Sequence, residues 1–374
     1  MFTRIKQSTI SKARRGELAT THGTLQTPFF MTIATKGAVR AMNVRDLKRI
    51  HVPIVLANTY HLLVRPGMDA LRERGGLHKW MHWDGPMLTD SGGYQVFSLG
   101  HRRKVTEEGV TFRSHIDGSK ISLTPEESIA MQQAIGSDMI MQLDVVEPPT
   151  VSDKRRAYAM ERSIRWAKRC KDYLYAHRDQ SVTADQKLFG IVQGGVDEAL
   201  RTRSVAGLTA LDLDGYAIGG LSVGESKEDN LRIAAFTASL LPQDKVRYFM
   251  GGGMPEEIVA YVRMGIDMFD CVIPTRHARH GSLFVWNGNP TPELIASGDF
   301  YTKINIVNAE YRNSDDPIDS WNNCDASQAY TRGYLRHLFG LKEALGTQLA
   351  TEHNVRFYMQ LMEVIRQGIE EGVL

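Results

Sequence analysis

The sequence predicts an α/β protein, a (β/α)8 TIM barrel with a C-terminal, mainly helical appendage. Three observations carry that expectation. Eight short apolar runs recur before residue 274 of the 374-residue chain. Helix-like stretches separate most of them. Glycine and polar residues gather just after the runs, where a barrel would collect them on one face.

The runs are FFMTI (29–33), IVLA (54–57), MLT (87–89), MIMQL (139–143), LFGIV (188–192), GYAI (215–218), RYFM (247–250) and MFDCVI (268–273). Each is short, apolar and rich in strand formers, as buried parallel strands are. Among the intervening helices, 124–136 (TPEESIAMQQAIG) opens with Thr-Pro and carries Glu three residues after the Thr, a capping-box pattern. The stretches 154–177, 226–241 and 255–265 are periodic in the same way. Alternation of this kind implies parallel strands joined by right-handed crossovers. An open doubly wound sheet is the alternative, but eight units over about 250 residues match the closed barrel better.

The text after the strands reads ATKG, NTYH, DSGGYQ, Asp144, QGG, GGLSVGES and GGGMPEE. After residue 273 the alternation stops. Residues 281–290 (GSLFVWNGNP) read as a hairpin or extended excursion, 299–319 as polar and irregular, and 328–374 as mainly helical. The expected organisation is therefore a catalytic barrel with an N-terminal extension at 1–281, and an appendage at 282–374 that packs on it.

Composition narrows the class. Lys+Arg number 45 against 43 Asp+Glu, and 42% of residues are hydrophobic, which is globular and not disordered. No run of about 18 apolar residues occurs and the start lacks an apolar h-region, so neither a membrane span nor a secretory signal is expected, and the expected location is cytoplasmic. Cys170, Cys271 and Cys324 are odd in number and far apart, in keeping with a reducing compartment. A net charge of +2 gives no long-range pull on a polyanion, so any basic patch must be local.

Three aspartates stand at strand ends: Asp90, Asp144 and Asp270. Carboxylates converging on a barrel mouth suit proton transfer plus nucleophilic attack at an anomeric carbon. Each alone could be a structural cap or an ion-pair partner. Gln193 and the backbone of Gly219, Gly220 and Leu221 could bind a planar heterocycle edge, with Tyr94 and Met250 against its faces or merely in the core. Thr275-Arg276-His277-Ala278-Arg279-His280 follows the last strand, either as a phosphate or base-edge contact or as a solvated basic loop.

Five segments together resemble the queuine tRNA-ribosyltransferase family, the tRNA-guanine transglycosylases. They are NTYHLLVRPG (58–67), DSGGYQVFSLG (90–100), IVQGG (191–195), GYAIGGLSVGE (215–225) and GIDMFDCVIPTRHARHG (265–281), and the likeness runs from about Arg14 to Glu371. The resemblance implies a barrel enzyme that exchanges guanine at the wobble position of tRNAs with a GUN anticodon for a 7-deazaguanine base, without cutting the backbone. It implies Asp270 as the nucleophile at ribose C1′ and Asp90 as the group that deprotonates the incoming base. Asp144, Gln193, Gly220 and Leu221 would recognise the base, with Tyr94 and Met250 stacking on it and Ser91, Gly92 and Gly93 in the same pocket. Arg276 and Arg279, within Thr275, His277 and Ala278, match the anticodon-reading segment. Gly251, Gly252, Gly253, Met254, Pro255, Glu256 and Glu257 match a second RNA-contact loop. A homodimer is implied, with Tyr330, Tyr334, His337 and Trp80 matching an aromatic interface cluster.

Two departures stand out. Bacterial members carry Cys-x-Cys-x2-Cys and a distant His around a structural zinc, whereas this chain has Asn322, Cys324 and Ser327, with His353 later. Two thiolates are replaced by uncharged groups that neutralise no ion, so no metal and no cofactor are expected. After the fourth strand, Asp144-Val145-Val146 stands where bacterial members read Asp-Glu-Cys, which favours queuine slightly over 7-aminomethyl-7-deazaguanine; Val223, where the eukaryotic pocket has Gly, weighs the other way. The alternatives are a non-catalytic tRNA-binding subunit and a barrel glycosidase or nucleosidase acting on small substrates.

Overall fold

A computed structural model describes residues 2–98, 103–114 and 116–374. Eight parallel strands close into a barrel: β4 (Phe29–Ile33), β5 (Val55–Ala57), β6 (Met87–Thr89), β10 (Met139–Met141), β11 (Lys187–Val192), β12 (Gly215–Ile218), β13 (Val246–Phe249) and β14 (Met268–Asp270). Pairing of Met268 with Phe29 and of Met139 with Leu88 shuts the ring. Every expected strand is present. The helices also lie as their periodicity predicts, at Pro125–Ile135, Asp153–Ala176, Lys227–Leu240 and Pro255–Arg263. Thr124 caps the first of these reciprocally with Glu127.

The eighth strand is shorter than the sequence suggests. It ends at Asp270, and Ile273–Arg279 is a helix with Pro274 in its first turn, where a missing N–H costs nothing. The basic segment therefore rides on a helix and not on a loop.

Strand geometry sorts the side chains. Phe29, Met31, Ile54, Leu56, Leu88, Met139, Met141, Phe189, Ile191, Ala217, Val246, Tyr248 and Met268 fill the barrel interior, and their strand neighbours face the helices. Three N-terminal strands, β1 (Phe2–Gln7), β2 (Arg14–Thr20) and β3 (Gly23–Thr27), form an antiparallel sheet that adds Phe2, Leu18 and Leu25 to this interior and plugs its lower end. Arg14 fixes the plug through a buried pair with Asp267, Nε to Oδ1 2.8 Å. A second antiparallel sheet, β7 (Arg103–Val105), β8 (Val110–Arg113) and β9 (Lys120–Leu123), is inserted between β6 and β10.

Beyond the barrel, β15 (Ser282–Trp286) pairs not within a short hairpin but with β16 (Tyr301–Asn305), inside the stretch expected to be irregular. The long helix Ala344–Glu371 then runs back over the barrel. Tyr358 stacks near Phe30 at 4.8 Å and donates to Gly253 O, while Arg366 donates to Pro28 O. Among the described residues no helix is long and apolar enough to cross a membrane.

Candidate active site

A strand that alternates inward and outward carries its inward row past its own end, and here that row becomes polar at the C-terminal mouth. Leu56 is followed by Asn58, Leu88 by Asp90, Ile191 by Gln193, Tyr248 by Met250 and Met268 by Asp270. Leu56, Asn58, Asp90, Tyr248, Met250 and Asp270, with Ser91, Gly93, Tyr94, Asp144, Gly220 and Leu221, line one cavity of about 430 Å³, and Gln193 is tied to it through its bond to Asp144. That volume suits a heterocycle, since small-molecule sites span roughly 300–1,000 Å³. The sequence-predicted base and catalytic residues thus meet at one place. Gly92 lies just behind, its φ of +82° turning the peptide N–H back toward Asp90.

Asp90 is held at both oxygens. Asn58 Nδ2 donates to Oδ2, and the backbone N–H groups of Thr59 (2.9 Å) and Gly92 (3.2 Å) donate to Oδ1. Asn58 does double duty, since its Oδ1 also caps the helix Thr59–Val64 through His61 N at 3.0 Å. Burial pushes the Asp90 pKa up to about 7; its donors oppose that, and the nearby Asp270 charge adds to it. Such a group can hold or release a proton at neutral pH.

Asp144 is buried, accepting from Gln193 Nε2 at 2.7 Å and more weakly from Ser91 Oγ at 3.4 Å. Burial pushes its pKa up to about 6. Gly220 adopts φ +64°, and a Cβ there would stand 2.2 Å from Gln193 Oε1, so the backbone can approach the glutamine only without a side chain. Arg201, fully buried, ties the two loops from behind by donating to Gly195 O (2.9 Å), Val192 O (3.0 Å) and Gly219 O (2.8 Å). Asp270 accepts at Oδ1 from Tyr248 Oη (2.5 Å) and Gly251 N (2.9 Å), and burial raises its pKa. Sequence reading missed Asn58, Thr59, Tyr248 and Arg201; the inward row points to Asn58, whereas nothing local marks Tyr248 or Arg201.

At the rim, Arg276 is exposed and Arg279 and His277 are half-buried, while Thr275 and Ala278 are buried beneath them. Burial and the neighbouring Arg40 and Arg276 charges lower the Arg279 pKa; burial, then Lys303, Arg276 and His280, lower that of His277. Arg40 and Lys303, remote in sequence, therefore join the basic rim. In the 251–257 loop Gly251 is exposed, Met254, Glu256 and Glu257 are half-buried, and Gly252, Gly253 and Pro255 are packed inside. Glu256 accepts from Tyr301 Oη at 2.6 Å, and Glu257 caps the helix it begins. Leu99 and Gly100, the end of the DSGGYQVFSLG segment, lie outside the described residues. Tyr330, Tyr334 and His337 stack in series, with centroids 5.6 and 6.5 Å apart, and Trp80 is exposed with Arg74 over its ring.

The four positions that the resemblance marks as a zinc site, 322, 324, 327 and 353, converge as a hydrogen-bonded chain. Ser327 Oγ lies 2.8 Å from His353 Nδ1 and 3.0 Å from Cys324 Sγ. Asn322 Nδ2 donates to His353 O (3.0 Å), and His353 Nε2 meets Phe284 O (2.8 Å). A neutral imidazole with its proton on Nε2 satisfies these contacts, accepting at Nδ1 from Ser327, and burial lowers the His353 pKa accordingly. Burial pushes the Cys324 thiol up to about 11. Among the described residues Asn322 Oδ1 has no partner, yet one amide oxygen, one protonated thiol, one hydroxyl and an already bonded histidine do not fit a tetrahedral dication. Elsewhere, His22, His78 and Asp138 bring three possible ligands of two types together below the barrel. The two imidazoles stack at 3.8 Å with planes 13° apart, so no point lies in both ring planes at bonding distance; the group pins the β2–β3 turn to the barrel floor.

Comparison with known proteins bears on this geometry. The profile of a family described as queuine tRNA-ribosyltransferase matches residues 8–374. A protein of that name from Acinetobacter baylyi is 45% identical over 371 residues, covering 99% of this chain and 91% of its own length. One from Psychrobacter cryohalolentis is 47% identical over 364 residues, covering 97% and 91%.

Proposed function

The chain belongs to the queuine tRNA-ribosyltransferase family, and we propose that it exchanges guanine at the wobble position of GUN-anticodon tRNAs for a 7-deazaguanine base through an ester between Asp270 and the ribose. It is a pentosyltransferase, a tRNA-guanine transglycosylase of queuosine modification. The observation that supports the finer reading is the gathering of three carboxylates with raised pKa values, the buried Asp144 and the half-buried Asp90 and Asp270, around one cavity beneath a basic rim.

In this reading Asp270 attacks C1′ as the C1′–N9 bond breaks, and Asp90 gives its proton to the departing guanine N9. The incoming base then loses its N9 proton to Asp90 and displaces Asp270, a double displacement that retains configuration. Asp144 and Gln193 bind the base edge with the amides near Gly220 and Leu221, and Tyr94 and Met250 cover its faces. Arg276 and Arg279, with the 251–257 loop, contact the anticodon backbone and bases. A non-catalytic subunit would not need three desolvated carboxylates at one mouth.

The incoming base is queuine in preference to 7-aminomethyl-7-deazaguanine. Buried Val146 lines the pocket after Asp144, an apolar side chain that offers a cationic aminomethyl group no acceptor. Competition of the two bases in a tRNA guanine-release assay is expected to favour queuine. A clear preference for the aminomethyl base sinks this assignment.

The appendage folds without zinc, its former ligand positions joined by the Cys324–Ser327–His353 hydrogen bonds. Metal analysis of the purified chain is expected to find far less than stoichiometric zinc, and a chelator is expected to leave the melting temperature unchanged. One tightly held zinc per chain contradicts this.

A further inference from the structure

The two oxygens of Asp270 are not equivalent. Oδ1 accepts from Tyr248 Oη at 2.5 Å and from Gly251 N at 2.9 Å, and among the described residues no hydrogen bond reaches Oδ2. Both donors come from β13 and its loop, the strand beside β14, so together they fix the rotation of the carboxylate. Tyr248 is 1% exposed, and burial beside the Asp270 charge holds its phenol well above the ordinary range, so it remains a neutral donor. Nothing in its sequence context, RYFM, distinguishes it from a core aromatic.

We propose that Tyr248 is a positioning residue that makes Oδ2 the attacking atom of Asp270 and sets how readily the carboxylate leaves again, limiting how long the protein stays joined to tRNA. This rests on the reading of Asp270 as nucleophile.

The chemistry follows from where charge sits. In the first displacement the Oδ2–C1′ bond forms, the C1′–N9 bond breaks, and guanine N9 takes the electron pair and the proton of Asp90. Oδ1 becomes the carbonyl oxygen of an ester, and its bond from Tyr248 changes from charge-assisted to neutral, hence weaker. In the second displacement the base N9–H gives its proton to Asp90, N9 bonds to C1′, and the C1′–Oδ2 pair returns to the carboxylate. Tyr248 then meets a full negative charge again. The phenol therefore stabilises the free carboxylate more than the ester, and its removal shifts the balance toward the covalent species.

The test uses the full chain, wobble-guanine tRNA and free guanine, with the adduct quantified after denaturation. For Tyr248→Phe, the guanine concentration that discharges half of the adduct is expected to rise by roughly one to two orders of magnitude, the size of one charge-assisted hydrogen bond. Loosened packing alone would slow adduct formation without raising that concentration. If Tyr248→Phe folds poorly, 3-fluorotyrosine at position 248, a stronger donor of nearly the same shape, is expected to lower the half-discharge concentration. An unchanged value in whichever variant folds overturns the role of Tyr248. Absence of any adduct with the unaltered protein instead removes the Asp270 reading, and this inference with it.

Discussion

Asp270→Asn is expected to abolish the covalent tRNA species and to cut base exchange by on the order of 10⁴-fold or more, the scale of losing a nucleophile that acts with its partners as a unit. The substitution keeps the shape and leaves an amide oxygen for Tyr248 and Gly251 to donate to, so the loss is chemical and not structural. Stability provides the control. Burial raises the pKa of Asp270 in the folded state, so the favourable neutral form is fully present only below the unfolded value and is lost as pH rises through the folded one. Asp270→Asn should therefore melt no lower than the parent where Asp270 is ionised, with the difference shrinking as pH falls through the raised folded-state pKa. Exchange by this variant at near-parental rate, read as labelled guanine entering tRNA, would remove the ester mechanism.

The second large effect belongs to Asp90. Asp90→Asn is expected to lower exchange by about 10²- to 10⁴-fold, the usual span for a positioned acid or base. With its pKa near 7, Asp90 is present in both protonation states at neutral pH, as an acid for departing guanine and a base for the incoming one require. The Asp270 charge is one of the terms that raise that pKa, and ester formation cancels it, so Asp90 becomes more acidic when the second base arrives. The parent rate should peak near neutrality and fall on both sides, and the residual rate of Asp90→Asn should be flat over the same range. A bell shape retained in the variant would assign the titration to other groups.

Why the barrel was legible and parts of the site were not has a physical explanation. The barrel strands are short, apolar and buried on both faces, so composition alone marks them, and their Gly-rich ends mark the mouth. The aspartates proposed as catalytic stand out because a carboxylate at the end of an apolar run is costly unless used. Tyr248 does not stand out: an aromatic inside a strand reads as core, and only the neighbouring strand supplies the carboxylate that gives it a role. Arg201 is hidden for another reason: an arginine on a helix reads as solvated, and only the fold turns it inward onto the carbonyls of Val192 and Gly219. The YTKIN strand, half-exposed and far from its partner, lacks the apolar signal on which strand assignment depends. The absence of two of the three thiols that the resemblance leads one to expect is visible by spacing, whereas the Ser327–His353–Phe284 connections require residues that only the fold brings together.

The most direct measurement is incorporation of labelled guanine by the purified chain alone into a GUN-anticodon tRNA, beside the same tRNA with adenine at the wobble position. Label entering the guanine-bearing tRNA at that one nucleotide, with none entering the other, is the predicted result. No incorporation by the folded chain without a second subunit, or incorporation into free nucleosides in place of tRNA, would contradict it.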